Sequence, residues 1–244
     1  MPDTVLPVVL AAGLGSRLGG VPKALLELEG ETLLGRTAAT LAGHGHERMV
    51  VVTGHGADQV EDWWRSAPRP LEARFLHNPR YADLNNFHTL ALACEQLPAG
   101  RLLALNADIV FHSAVVADAL AAGGQLTLAV EQGRVDAEAL KVRIDDGHVR
   151  ELGKHLDPRT AFGEFIGVSA LDDAGRTAYA ASAAEALQAG ETTPYYEDIF
   201  SRICDEVDAR VSAVAAGTWA EIDTPEDVPP AARVARSQSL EAPA

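Results

Sequence analysis

Residues 8–26 read VVLAAGLGSRLGGVPKALL, and they hold the side chains best suited to chemistry. The apolar run Val8, Val9, Leu10, Ala11, Ala12 predicts a buried strand. It breaks into Gly13, Gly15, Gly19 and Gly20, with Ser16 and Arg17 among them, and then reaches Pro22 and Lys23. Glycines let a backbone approach an anion closely, with its N–H groups aimed at phosphate oxygens. Arg17 adds a planar cationic fork and Lys23 a compact, mobile charge. A strand, a glycine loop and two cations in this order suit a nucleoside triphosphate held by its phosphates. Taken alone, a glycine-rich turn after a strand is also an ordinary turn. This one matches neither G-x-x-x-x-G-K-[ST] nor G-x-G-x-x-G.

Two other places carry candidate chemistry. Asp108 ends the apolar run 101–107. Ligands of open α/β sheets gather outside the carboxyl ends of the strands, and a carboxylate there is a natural Mg²⁺ ligand shared with phosphate oxygens. The plain alternative is a turn aspartate. Asn85 and Asn86 stand where a helix over 86–97 should start. Asn86 is then either a simple N-cap or an amide facing a nucleotide base. Lysine usage points the same way. The twenty basic side chains include only three lysines, Lys23, Lys141 and Lys154. In a chain that otherwise uses Arg, these three either mark positions that need a mobile ammonium or reflect chance in an Arg-biased composition.

The elements that must position these groups alternate. Strands are predicted at 49–52, 71–76, 101–107 and 125–130, and helices at 32–43, 57–65, 86–97 and 113–122. This βαβ alternation reads as an α/β fold with a mostly parallel sheet. Residues 140–144 and 148–152 flank Asp145-Asp146-Gly147 and form a hairpin. The glycine-interrupted strand 162–168 suggests close approach of the backbone to a ligand. An alanine-rich helix covers 172–189, another opens at Tyr195, and 236–244 read as a disordered tail.

Composition sets bounds. The 244 residues are 47% hydrophobic, enough for one α/β domain over 1–235. No apolar run reaches the ~18 residues of a membrane span, and the N-terminus lacks a basic leader. Cys94 and Cys204 lack metal spacing and read as buried free thiols of a cytoplasmic protein. The net charge of −15 argues against nucleic acid or an anionic membrane as partner. It leaves a homodimer open.

The string L-A-A-G-x-G-S-R-L-G…P-K-A-L resembles the opening motif of the nucleotidyltransferases that join an NTP to a phosphorylated acceptor and release pyrophosphate. Over 78–90, N-x-x-Y-A-D-x-N-N-F-x-[ST]-L resembles CTP:phosphocholine cytidylyltransferases and the cytidylyltransferase domains of phosphonate biosynthesis. G-E-[FY]-I-G at 163–167 and W-x-E-I-D-[TS]-x-x-D at 219–227 are similar to later segments of the same group. The resemblance spans 6–228. It implies a Rossmann-like fold of GT-A type, a mixed, mostly parallel sheet flanked by helices, with a small β insertion near 131–170.

The resemblance also implies roles. Leu10, Ala11, Ala12, Gly13, Gly15, Ser16, Arg17 and Lys23 would bind the nucleotide, with Asn85, Asn86 and Asp108. Arg17, Lys23 and Asp108 would be catalytic. Asp108 and Asp223 would hold Mg²⁺, although Asp223 before Pro225 is also a plain cap. Lys141, Lys154, Glu164, Tyr196 and Glu197 would border the acceptor. The implied reaction transfers CMP from CTP to a small phosphonate or phosphorylated alcohol. Only residues 18–21 separate Arg17 from Pro22, fewer than in many sugar and phosphocholine relatives, so a compact lid over the triphosphate is expected. His88 replaces an aromatic of the phosphocholine enzymes, and the chain is 5% aromatic, so choline is not the first acceptor expected. A sugar- or cyclitol-phosphate nucleotidyltransferase using another NTP, and a catalytically silent nucleotide-binding subunit, stay open as alternatives.

Overall fold

The computed structural model describes residues 5–15, 20–133 and 135–241, the last four as backbone only. Ser16, Arg17 and Gly19 therefore lie outside the described residues. The chain begins with β1 (Val5–Ala11), followed by a short hairpin of β2 (Glu27–Leu28) and β3 (Glu31–Thr32). Then come α1 (Leu33–Gly43), β4 (Arg48–Thr53), α2 (Ala57–Arg65), β5 (Glu72–His77), α3 (Phe87–Gln96), β6 (Arg101–Asn106), β7 (Ile109–Phe111) and α4 (Ala114–Ala121). The second half holds β8 (Leu126–Gln132), β9 (Lys141–Asp145), β10 (His148–Gly153), β11 (Gly163–Leu171), α5 (Asp173–Gln188) and α6 (Tyr196–Ile203). It ends with β12 (Ala209–Val214), β13 (Trp219–Glu221) and α7 (Val228–Glu241).

The main sheet has the order β10-β9-β11-β6-β1-β4-β5, with β8 also paired to β11 and β12 to β8. Pairs β1–β4, β1–β6, β4–β5 and β8–β12 are parallel, while β11 runs antiparallel to β6, β8 and β9. This is the mixed, mostly parallel sheet expected. Val8, Val9, Val50, Val51 and Leu102 to Leu105 of its centre are almost wholly buried, as strands covered on both faces require. Pro7 sits in a central strand without harm to the β4 ladder, which begins one residue later at Val8.

Local chemistry sets the helix ends. Thr32 Oγ1 accepts from Gly35 N at 3.0 Å and Asp172 Oδ1 from Gly175 N at 2.8 Å, capping α1 and α5. Arg176 of α5 is buried, and its guanidinium donates to the carbonyls of Cys94, Leu97, Pro98 and Gly100, which closes the end of α3. Two features differ from the sequence reading. The last helix continues beyond Arg236 to Glu241, where a disordered tail was expected, and Arg236 Nη1 donates to Glu29 Oε1 at 2.7 Å. The glycine at 163 serves protein packing rather than a ligand, since a Cβ there would lie 2.1 Å from the Glu131 carbonyl.

The small pair β7–β13 matters most for the site. Glu221 lies opposite Ile109, and Ile222 N donates to Asp108 O at 2.9 Å. Ile222 and Val110 are buried together against Leu28, Leu33 and Ala231. The end of the chain is thereby stapled beside the loop that follows β6.

Candidate active site

Lys23 opens a single 3₁₀ turn, Lys23–Leu25, behind Pro22, with Leu25 N donating to Pro22 O at 2.8 Å. Ala24 is buried and anchors that turn. The Lys23 ammonium donates to Asp108 Oδ2 at 2.9 Å and also to Asp223 Oδ1. Burial opposes its charge, but Asp108 and Asp223 outweigh that and raise its pKa. Three residues from distant parts of the sequence thus meet at one point, beyond the carboxyl ends of β1 and β6.

The cap expected of Asp223 belongs to its neighbours. Thr224 is the capping residue, and Asp227 Oδ2 accepts from the backbone N–H groups of Asp223 and Thr224. The Asp223 carboxylate is turned instead toward Lys23. Glu221 joins the group: ligand atoms of Asp108, Glu221 and Asp223 all lie within 4.8 Å of one another. The Glu221 residue as a whole is exposed, yet its carboxyl is pushed up to about 8 by lost hydration and by Asp108 and Asp223. Sequence reasoning passed over Glu221. Its place beside Asp108 comes from the β7–β13 pairing, which sets Glu221 opposite Ile109.

The donor set fits a hard divalent cation. All three ligands are carboxylate oxygens, which suit Mg²⁺, Mn²⁺ or Ca²⁺. Asp108 Oδ1 is buried and has no hydrogen-bond partner, and an ammonium already stands between the carboxylates. Glu197 adds to the negative field. Its Oε2 is buried and unpartnered, and burial, with Asp198 and Asp108 adding to it, pushes the group up to about 7.

Beside this centre lies a cleft of about 360 Å³, lined by Ala12, Gly13, Leu14, the 81–86 loop, Thr89 and Thr192-Thr193. Gly15 closes the near end of the glycine loop at φ +58°, and a Cβ there would lie 2.6 Å from Val21 O. Leu10 and Ala11 belong to β1 and do not line the cleft. The 81–86 loop is held from below. Asn78 is fully buried, accepts from Arg80 N and His88 Nδ1, and donates to Thr89 Oγ1. His88 is therefore a buttress, and burial lowers its pKa.

The two asparagines divide the work. Asn85 donates to Thr193 O at 2.9 Å and accepts from Asn86 N, so its amide ties loops together. Asn86 starts α3 but makes no side-chain cap. Its Oδ1 accepts from Tyr196 N at 2.9 Å, and no acceptor among the described residues takes its Nδ2. Thr192 and Thr193 left no sequence signal, because only tertiary packing brings the loop before α6 to this cleft.

The expected acceptor residues separate. The Tyr196 ring is buried, and its hydroxyl donates to Asn106 Oδ1 at 2.9 Å, a structural position. Lys141 is fully buried, and its ammonium donates to Ala137 O, Ala139 O and Lys154 O at 2.8–2.9 Å. All three protons are used, so it has none for an acceptor phosphate. Its neighbour Lys154 is exposed. Glu164 faces both lysines, yet burial first, then Asp136 and Glu131, push it up to about 7. Among the described residues no helix is long and apolar enough to cross a membrane.

Comparison with known proteins identifies the family. The family model of the MobA-like NTP transferase domain matches residues 7–192. The chain is 33% identical over 229 residues to a bifunctional IPC transferase and DIPP synthase of Rubrobacter xylanophilus, covering 90% of this chain and 49% of that protein. It is 31% identical over 247 residues to the CMP-5'-(3-aminopropyl)phosphonate synthase of Streptomyces rubellomurinus, covering 93% and 38%. The chain thus spans half or less of the length of these curated relatives. The fold is similar to the inositol-1-phosphate CTP transferase of T. maritima, with TM-score 0.79, 21% identity and 99% of each chain covered. It is also similar to the CTP:phosphocholine cytidylyltransferase of Streptococcus pneumoniae, with TM-score 0.72, 22% identity and 98% and 99% covered. The chain belongs to the MobA-like NTP transferase domain family of nucleotidyltransferases.

Proposed function

We propose that the protein is a cytidylyltransferase that moves CMP from CTP to a small phosphonate or phosphorylated alcohol. The observation that carries this reading is the meeting of Asp108 and Asp223 on Lys23, beside the end of the glycine loop. An acceptor phosphate or phosphonate oxygen attacks the α-phosphorus in line. The new bond joins that oxygen to the α-phosphorus, and the bond to the β-phosphate oxygen breaks, releasing pyrophosphate. The attacking oxygen is already ionised, so no protein base is required. Catalysis is then positioning and charge neutralisation.

Each residue has a part in this reading. Backbone N–H groups from Ala12 to Ser16 cradle the triphosphate, and Arg17 steadies the departing pyrophosphate. Lys23 neutralises charge that grows at the α-phosphate. Asn86 offers its amide to the base, while Lys154, Glu164 and Glu197 border the acceptor. Asp108, Asp223 and Glu221 would hold Mg²⁺, which when bound supplies positive charge to the phosphates. Location in the cytoplasm and assembly as a homodimer belong to the same proposal.

A second reading, a cyclitol-phosphate acceptor, is favoured by the relative named IPC transferase and by the inositol-1-phosphate CTP transferase of similar fold. One panel separates the two. Pyrophosphate release is measured with CTP, UTP, GTP and ATP against 3-aminopropylphosphonate, phosphocholine and inositol 1-phosphate. Turnover with CTP and a linear acceptor is expected. Preference for inositol 1-phosphate selects the second reading, and preference for a purine nucleotide or UTP removes both.

A further inference from the structure

The turn after β4, Gly54-His55-Gly56, touches the glycine loop at both ends. His55 N donates to Ala12 O at 3.3 Å, where β1 runs into the loop. His55 Nε2 lies 3.0 Å from Gly20 O, where the loop returns. The partner is a carbonyl, so Nε2 carries the proton and donates. Gly20 N in turn donates to Gly15 O at 3.3 Å, which closes the loop across its neck. One residue further on, Gly56 sits against Pro22. Gly56 has φ +64°, and a Cβ there would lie 2.4 Å from Pro22 Cγ, so only glycine permits the contact. The other face of the His55 ring packs near Tyr81, with centroids 6.4 Å apart, and Tyr81 lines the cleft.

Among the described residues, this imidazole makes the one side-chain hydrogen bond to the backbone of residues 20–22. Those residues lead directly into Lys23. A loop that must present several N–H groups to phosphate loses binding energy if it has to be ordered at each encounter. A tie at its neck removes that cost beforehand.

We propose that His55 is a positioning residue for the nucleotide. It fixes the neck of the glycine loop, and through Gly20 and Pro22 the place of Lys23. This rests on the reading that the loop holds the triphosphate. His55 touches neither the reacting atoms nor the carboxylates, so it acts on nucleotide affinity and leaves the acceptor site alone.

The test compares His55→Phe, which keeps a ring beside Tyr81 without the donor, His55→Gln, which keeps a donor, and Lys23→Ala. CTP affinity is read by calorimetry and thermal stability by melting. The expected result is a roughly tenfold weaker CTP affinity in His55→Phe, as for loss of one positioning hydrogen bond. Its Tm and acceptor KM stay at the wild-type values, and His55→Gln recovers to within about threefold. If Lys23→Ala weakens CTP binding but His55→Phe does not, the role of His55 is overturned and the loop reading survives. If neither weakens it, both fall. His55→Gln as weak as His55→Phe also overturns the proposal, the ring then acting through packing alone.

Discussion

Lys23 Nζ lies 2.9 Å from Asp108 Oδ2, and the same ammonium also holds Asp223. A side chain read as a phosphate ligand thus spans the two carboxylates read as metal ligands. The three groups form a single unit in which one ammonium offsets part of the charge of two carboxylates. Removing the ammonium leaves the carboxylates uncompensated at close range. Lys23→Met is therefore expected to bind Mn²⁺ more tightly than wild type when no nucleotide is present, by about tenfold for ~1.4 kcal/mol of lost competition. Its turnover should fall by about 10²-fold or more, as when a group stabilising transition-state charge is lost. Paramagnetic relaxation of water by Mn²⁺ reads the first effect. Equal Mn²⁺ affinity in the two proteins would show that the ammonium does not compete.

Asp108→Asn and Asp223→Asn keep size but remove the anions. Each should lower pyrophosphate release by about 10²–10³-fold while the circular dichroism spectrum stays that of the wild type. Activity within tenfold of wild type in Asp108→Asn would remove the metal assignment.

Asn86 offers a cleaner separation of binding from folding. Its Oδ1 fastens α6 through Tyr196 N. Asn86→Asp keeps that acceptor and removes the amide donor. KM for CTP should rise about tenfold, the equivalent of one hydrogen bond to the base, with Tm nearly unchanged. A steady-state comparison of CTP KM in the two proteins settles the point.

Lys141 is a stability residue. Lys141→Met takes away the one buried ammonium that the carbonyls of Ala137, Ala139 and Lys154 share, and the Ala139 carbonyl is left in a buried position. The expected loss is about 3 kcal/mol, within the range for charged hydrogen bonds and buried unsatisfied groups. Urea denaturation measures it, and a loss below ~1 kcal/mol would contradict the burial argument.

Glu164 gives a pH dependence of known sign. Burial, Asp136 and Glu131 raise its folded value from 4.5 to about 7. Between those values the folded chain binds more protons than the unfolded one, so stability falls as pH rises through that window. Glu164→Gln should flatten the fall in Tm between pH 4.5 and pH 7 in chelator, and the wild type should melt higher at the acid end. An unchanged slope in Glu164→Gln would place the titration elsewhere.

The sequence by itself determined the alternation of elements. Apolar runs such as 49–52 and 101–107 became β4 and β6, and turn chemistry at Asp145-Asp146-Gly147 produced the β9–β10 hairpin. These are readable because periodicity and turn residues act over a few positions. The glycine loop, Lys23, Asp108 and Asp223 were legible as residue types in a recognised pattern. Their meeting was decided by the β7–β13 pairing, which joins segments far apart in the chain and is too short to announce itself. The same holds for Lys141. A lysine in a strand looks like any surface cation until three carbonyls close around it, and burial and partner choice depend on what other segments bring. Glu221 and the Thr192-Thr193 wall entered the site for the same reason: local sequence sets which way a side chain points along its own element, while the packing of distant elements sets what it faces.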